Sequence, residues 1–88
     1  MVAVHIIFYG LVQGIGFRSH VRDKAIKLNV KGFVKNLDDG SVEAIFSGDD
    51  ENVDILINYC MKIPLSKIER YDLKEIENND FSGFEIKY

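Results

Sequence analysis

Residues 2–9 alternate between two sets of mostly apolar side chains. The sets are Val2, Val4, Ile6 and Phe8 on one face and Ala3, His5, Ile7 and Tyr9 on the other. A period of two with many β-branched and aromatic residues is typical of a β-strand. Because both faces are apolar, the pattern predicts a central strand over residues 2–9.

Two later segments have the spacing of amphipathic helices. After a glycine-rich stretch over residues 10–17, Val21, Ala25 and Leu28 recur with charged residues between them. A second helix is predicted after Asp49 or Asp50, either of which suits an N-cap, and before Pro64, which cannot continue a helix. Its apolar stripe consists of Val53, Leu56, Ile57, Cys60 and Met61.

The remaining segments read as short strands. Residues 30–37 and 41–48 flank Asp38, Asp39 and Gly40. The Asp-Gly step supplies the positive backbone angles of a tight hairpin, so these two strands are predicted to be antiparallel neighbours. Residues 68–76 have strand spacing, the polar residues 77–80 interrupt the pattern, and Phe84, Ile86 and Tyr88 alternate to the end.

The resulting order is β-α-β-β-α-β with a short C-terminal fifth strand, which belongs to the α+β class. We expect a ferredoxin-like sandwich in which two helices cover one face of an antiparallel sheet. At 88 residues, the chain is expected to form a single domain over residues 1–88 with one hydrophobic core. This fold hosts many functions, so it decides none of them.

Composition narrows the kind of partner. The chain is 47% hydrophobic and 28% charged, with a net charge of -3. This balance is typical of a folded globular domain, and the negative charge argues against binding nucleic acid or an anionic membrane. A single cysteine and an N-terminus without a targeting or membrane-spanning pattern favour a reducing, cytoplasmic location. A monomer is the default expectation.

The segment between the first strand and the first helix has the residues of an anion-binding loop. It contains Gly10, Gly14 and Gly16, and Arg18 follows near the start of the helix. Glycines allow successive backbone N–H groups to turn toward one point, and a helix N-terminus adds unpaired donors. The planar guanidinium suits phosphate oxygens. The glycines could equally be simple turn formers, and the spacing does not match a Rossmann or Walker loop.

The same segment resembles the first signature of the acylphosphatase family. Residues 10–18, Gly-Leu-Val-Gln-Gly-Ile-Gly-Phe-Arg, fill every specified position of that signature. The second signature, which includes Asn36, resembles residues 32–43, Gly-Phe-Val-Lys-Asn-Leu-Asp-Asp-Gly-Ser-Val-Glu. The chain departs from the family at residues 62–65, where a Gly-Pro stretch is usual, and at Ser19 and His20, where an aromatic residue is common.

The resemblance implies an acylphosphate phosphohydrolase, which cleaves the carboxyl–phosphate bond of a small acyl phosphate and releases inorganic phosphate. It implies neither metal nor other cofactor. Arg18 would bind the phosphoryl oxygens, and Asn36 would position the attacking water, since an amide cannot take its proton at neutral pH. Backbone N–H groups would complete the phosphate site, namely those of Gln13, Gly14, Ile15, Gly16, Phe17 and Arg18.

Other polar residues have simpler explanations. We interpret His5 and His20 as structural or surface residues, and Cys60 as a small buried hydrophobe. The acidic residues are interpreted as turn and cap residues without chemistry, because short acids are favoured there; they are Asp38, Asp39, Asp49 and Asp50. Arg18 could also be a solvated helix residue, and Asn36 a turn residue at the end of a strand.

Two functions of other classes compete. The run Lys-Gly-Phe-Val at residues 31–34 echoes an RNA-recognition sheet, but the aromatic residue needed to stack a base does not follow. The second is a domain that binds phosphate or carbamoyl phosphate without turnover, as acylphosphatase-like domains do within larger carbamoyl-transfer proteins. The presence of both Arg18 and Asn36 favours turnover.

Overall fold

A computed structural model describes residues 1–77 and 80–88. Within them, the elements in chain order are β1 (Val2–Leu11), α1 (Phe17–Lys27), β2 (Lys31–Asn36), β3 (Val42–Gly48), α2 (Asp50–Cys60), β4 (Lys67–Ile76) and β5 (Phe84–Lys87). The predicted elements and their order are confirmed, with ends that differ by one or two residues. The predicted break at residues 77–80 includes residues 78 and 79, which lie outside the described residues.

The strands form one sheet in the order β4-β1-β3-β2-β5. β1 lies between β4 and β3, which confirms the predicted interior strand. The first four strands pair antiparallel, including the predicted β2–β3 hairpin. β5, however, runs parallel to β2, with Gly32 opposite Phe84, so the sheet is mixed and not wholly antiparallel as predicted. Three antiparallel pairs lie between β4 and β2, so β2 runs opposite to β4. β5 also runs opposite to β4 and is therefore parallel to β2.

Both helices lie on one face of the sheet and enclose the core. α1 packs on β2, β5 and α2, and α2 packs on β3. The largest fully buried side chains are Phe8, Phe17, Phe46, Ile6 and Leu56. Burying each of these contributes about 1.5–3 kcal/mol. The rings of Phe8 and Phe17 meet edge to face with centroids 5.5 Å apart, which places the first residue of α1 against the end of β1.

The second helix has the predicted apolar stripe, with one exception. Val53, Leu56 and Cys60 are buried, but Met61 follows the helix and is exposed. Burial raises the pKa of the Cys60 thiol, so this group is not a nucleophile at neutral pH. Asp49 occupies the predicted N-cap position, although its side chain makes no capping hydrogen bond.

Among the residues that the structure describes, no helix combines the length and apolar character that crossing a membrane requires.

Candidate active site

Several chain segments end at the same end of the sheet. Val42, at the start of β3, is opposite Phe8 of β1 and Asn36 of β2. β5 pairs Lys87 with Lys35 of β2 in parallel register. The loop after β1, the end of β2 and the end of β5 therefore lie together, although they are far apart in the sequence.

The loop after β1 turns on two glycines with left-handed backbone. Gly14 and Gly16 both have φ of 77°, and no atom lies within 4 Å of a Cβ built at either position. The strained angle, not crowding, is what favours glycine there. The loop is anchored by Val12, which is buried, and by Ile15, whose side chain packs against the core. This leaves a shallow concave surface in front of α1.

The first turn of α1 faces this surface. The N-cap residue is Gly16, which has no side chain that could cap the helix. The first turn also holds no acidic residue. The backbone N–H groups of the first helical residues have no acceptor within the helix. Together with the positive end of the helix dipole, they favour an anion. Arg18 is the second residue of this turn.

A cavity of about 120 Å³ opens between the loop, α1 and the ends of β2 and β5. Arg18 and Asn36 both line it, so the structure brings together the two predicted catalytic residues. Five of the six residues predicted as backbone donors line it, namely Gln13, Gly14, Gly16, Phe17 and Arg18 itself. Ile15 is not among the lining residues. Ser19 lines the cavity as well, although no site role is predicted for it from the sequence.

The side chain of Gln13 connects the loop to the β2–β3 turn. Its Nε2 donates hydrogen bonds to the carbonyl oxygens of Leu37 at 2.8 Å and Ser41 at 2.9 Å. The sequence predicts a role only for the backbone of Gln13. No local pattern could have indicated this bridge, because its acceptors lie 24 and 28 residues away. The bridge holds the loop in place next to Asn36.

Asn36 is the last residue of β2 and has an unsatisfied acceptor. Its Oδ1 is buried and has no hydrogen-bond partner among the described residues. A buried acceptor without a partner costs about 1–3 kcal/mol. A half turn of the amide exchanges its oxygen and nitrogen. Asn36 also lines the cavity, so a water molecule bound there can reach its amide group.

The side chain of Arg18 lies against the end of β5. Its Cζ is 4.9 Å from the centroid of the Tyr88 ring, and its Nη1 is 3.5 Å from the carbonyl oxygen of Lys87. The first contact has cation–π geometry, whereas the second is a long and weak hydrogen bond. In the structure it is the ring of Tyr88 that covers the guanidinium.

The turn after Asn36 is held by a carboxylate. Asp39 accepts hydrogen bonds from the hydroxyl and the backbone N–H of Ser41. These bonds lower the pKa of Asp39 below its ordinary value of 3.8. Gly40, with φ of 92°, takes the positive backbone angle of the turn. The turn role predicted for Asp39 is therefore confirmed.

The two histidines lie away from the cavity. His5 pairs with Glu43 at 2.8 Å on the sheet face opposite the helices, and His20 is half-buried within α1. Neither lines the cavity. Within residues 1–77 and 80–88, no three His, Cys, Asp or Glu side chains are grouped so as to hold a metal ion.

Comparison with known proteins gives a consistent result. Residues 4–86 match the family model for acylphosphatase. A relative named acylphosphatase from Thermoplasma volcanium is 51% identical over 81 residues, which cover 91% of this chain and 90% of that protein. The crystal structure of acylphosphatase from Bacillus subtilis superposes with a TM-score of 0.94 at 33% identity, and all of both chains is covered.

A similar unit also occurs within a much longer protein. The structure of HypF from T. kodakarensis matches all of this chain with a TM-score of 0.86 at 36% identity. The match covers 12% of that longer chain.

Proposed function

This chain belongs to the acylphosphatase family, enzymes that hydrolyse the carboxyl–phosphate bond of acyl phosphates, and we propose that it does so through Arg18 and Asn36 without a metal ion. One observation carries the assignment of these residues. A guanidinium, the unpaired donors of a helix N-terminus and an amide with an unsatisfied oxygen all border one small cavity.

The phosphoryl group binds to the loop and the start of α1. Arg18 donates two parallel hydrogen bonds to phosphoryl oxygens, and backbone N–H groups of the loop and first turn donate to the others. These groups are held in position before the substrate arrives, by the Gln13 bridge and the Phe8–Phe17 contact. Preorganised donors stabilise the charge that spreads over the oxygens in the transition state.

Asn36 orients the attacking water. Its Oδ1 accepts a hydrogen bond from the water and thereby directs a lone pair of the water toward phosphorus. The contribution is positional, because a misplaced nucleophile reacts far more slowly than an aligned one. The amide does not remove a proton, so another group must receive it.

The substrate supplies the remaining chemistry. Water attacks phosphorus, the bond from phosphorus to the acyl oxygen breaks, and its electron pair leaves with the carboxylate. A carboxylic acid has a pKa of about 4, so this group departs without a general acid. The proton of the water passes to the phosphate. All bonds, electrons and protons of the reaction are thereby accounted for, and the reaction needs neither a metal-bound hydroxide nor a side-chain base.

A single copy of the chain is proposed to be the working unit. The cavity is lined by residues from Val12 to Tyr88 of one chain. The site therefore needs no second protomer, and its parts come from nearly the whole length of residues 1–88. We accordingly propose one domain that acts as a monomer.

The test is hydrolysis of benzoyl phosphate in the presence of a chelator. We expect the native chain to release inorganic phosphate, and Arg18→Ala and Asn36→Ala to lose at least about a hundredfold in kcat, the usual effect of removing one transition-state donor. Arg22→Ala and Asn58→Ala are matched controls, since both side chains lie outside the cavity. Circular dichroism checks that every variant is folded.

A similar unit makes up 12% of the longer HypF chain, and the second candidate function is accordingly a domain that binds phosphate without turning over a substrate. In that case a folded native chain would bind inorganic phosphate through Arg18 but would release none from benzoyl phosphate. Activity that disappears with the chelator and returns with a divalent cation would contradict the metal-free mechanism.

A further inference from the structure

The hydrogen-bond donors of the cavity suit the phosphoryl group of the substrate and not its acyl group. Arg18 and the start of α1 both border this cavity of about 120 Å³. The acyl carbon is two bonds from phosphorus, so the acyl group extends from these donors toward the rim of the cavity.

The rim has an aromatic side chain. Four large apolar residues line the cavity, and three of them, Val12, Phe17 and Ile86, are buried or half-buried. The fourth, Tyr88, is 93% exposed. Its ring is 4.9 Å from Cζ of Arg18, within one side-chain width of the group that holds the phosphoryl. An acyl group leaving the cavity on that side meets this ring.

We propose that the ring of Tyr88 contacts the acyl group and makes the enzyme favour aromatic over small aliphatic acyl phosphates. The inference rests on the proposed function. A planar aromatic acyl group packs against the exposed part of the ring, and such pairs are attractive in offset or edge-to-face geometry. An acetyl group offers too little surface for the same contact. Tyr88 thus acts on specificity, in addition to covering Arg18.

These two roles of Tyr88 have different kinetic consequences. If the ring only holds Arg18 in place, its removal slows every acyl phosphate by the same factor. If it contacts the acyl group, its removal slows aromatic substrates more than small ones. The ratio of the two kcat/KM values therefore isolates the acyl contact, because effects on Arg18 cancel in the ratio.

The experiment compares kcat/KM for benzoyl phosphate and acetyl phosphate. We expect the benzoyl-to-acetyl ratio to fall about two- to tenfold in Tyr88→Ala, the range given by an aromatic pair. Tyr88→Phe keeps the ring and is expected to keep the ratio. Tyr71→Ala removes an exposed ring of β4 that does not line the cavity, so the native ratio should persist. Folding is not at risk, since the Tyr88 side chain is almost fully exposed.

Each outcome decides a different point. Equal losses for both substrates in Tyr88→Ala would reduce Tyr88 to a positioning residue for Arg18 and overturn the acyl contact. An unchanged ratio with unchanged rates would also overturn it, while leaving the hydrolase intact. A folded native chain that hydrolyses neither substrate would overturn the proposed function itself, and the inference with it.

Discussion

At the scale of single residues, the loop before α1 depends on backbone angles that most side chains avoid. Gly14 and Gly16 hold φ of 77° with open space where a Cβ would lie. The concave surface exists because these two residues turn the chain twice within three positions. A side chain at either position would strain the backbone, although it would collide with nothing.

We expect Gly16→Ala to lower the free energy of unfolding by about 1–2 kcal/mol, the cost of left-handed backbone for an ordinary residue. Hydrolysis should fall as well, because the strain relaxes by moving the start of α1. Urea unfolding and kcat/KM measure the two effects. Gly83→Ala is the control, since Gly83 has neither a positive φ nor a crowded Cβ. If both variants are equally stable, the loop is not held as described.

At the scale of elements, the β2–β3 turn is hydrogen-bonded to the loop after β1 and directly follows Asn36. Asn36 ends β2 just before this turn, and the Gln13 side chain binds two carbonyl oxygens of the turn, Leu37 and Ser41. Asp39 closes the turn through Ser41. The turn therefore positions both the Asn36 amide and the loop that precedes α1.

The Asp39 carboxylate should make the turn sensitive to acid. Its pKa is lower in the folded chain than the ordinary 3.8, so the unfolded chain binds the proton first as pH falls. The stabilisation is complete above that ordinary value and is lost as pH drops through the folded value. Asp39→Asn should therefore be less stable than native at about pH 6, and the difference should shrink toward about pH 2.5.

Urea unfolding of both proteins across this pH range measures the effect. Asp38→Asn removes the same charge from the neighbouring position and serves as the control. A gap between native and Asp39→Asn that does not change with pH would mean that the carboxylate is not what holds the turn.

At the scale of the whole molecule, an anionic substrate approaches a protein of net charge -3. The net charge provides no overall attraction, so the proposed site relies on the local donors around Arg18. Those donors are formed only when β1, α1 and β5 are packed together. Ligand binding and global folding are consequently linked.

Inorganic phosphate should therefore stabilise the folded chain. At a hundred times its Kd, the free energy of unfolding should rise by about 2.7 kcal/mol, which thermal unfolding at increasing phosphate detects. Arg18→Ala should lose most of this rise, whereas Arg22→Ala should keep it. Sodium chloride at the same ionic strength controls for screening. Stabilisation that persists in Arg18→Ala would place phosphate binding elsewhere.

Much of this architecture follows from the sequence alone. Alternation in residues 2–9, the stripe from Val53 to Cys60 and the turn at Gly40 each reflect a local physical preference. A glycine-rich loop and the resemblance to two family signatures predict roles for Arg18 and Asn36, and the structure brings both residues to one cavity. Local patterns suffice here because strand and helix periods depend on neighbours in the chain.

The tertiary structure decided what depends on distant segments. The edge at which β5 joins, its parallel direction, the Gln13 bridge and the ring of Tyr88 over Arg18 have no local signal. Each joins residues between 24 and about 70 positions apart, and such contacts are selected by the packing of the whole chain. The sequence determined the elements and the candidate chemistry; the fold decided which side chains surround that chemistry.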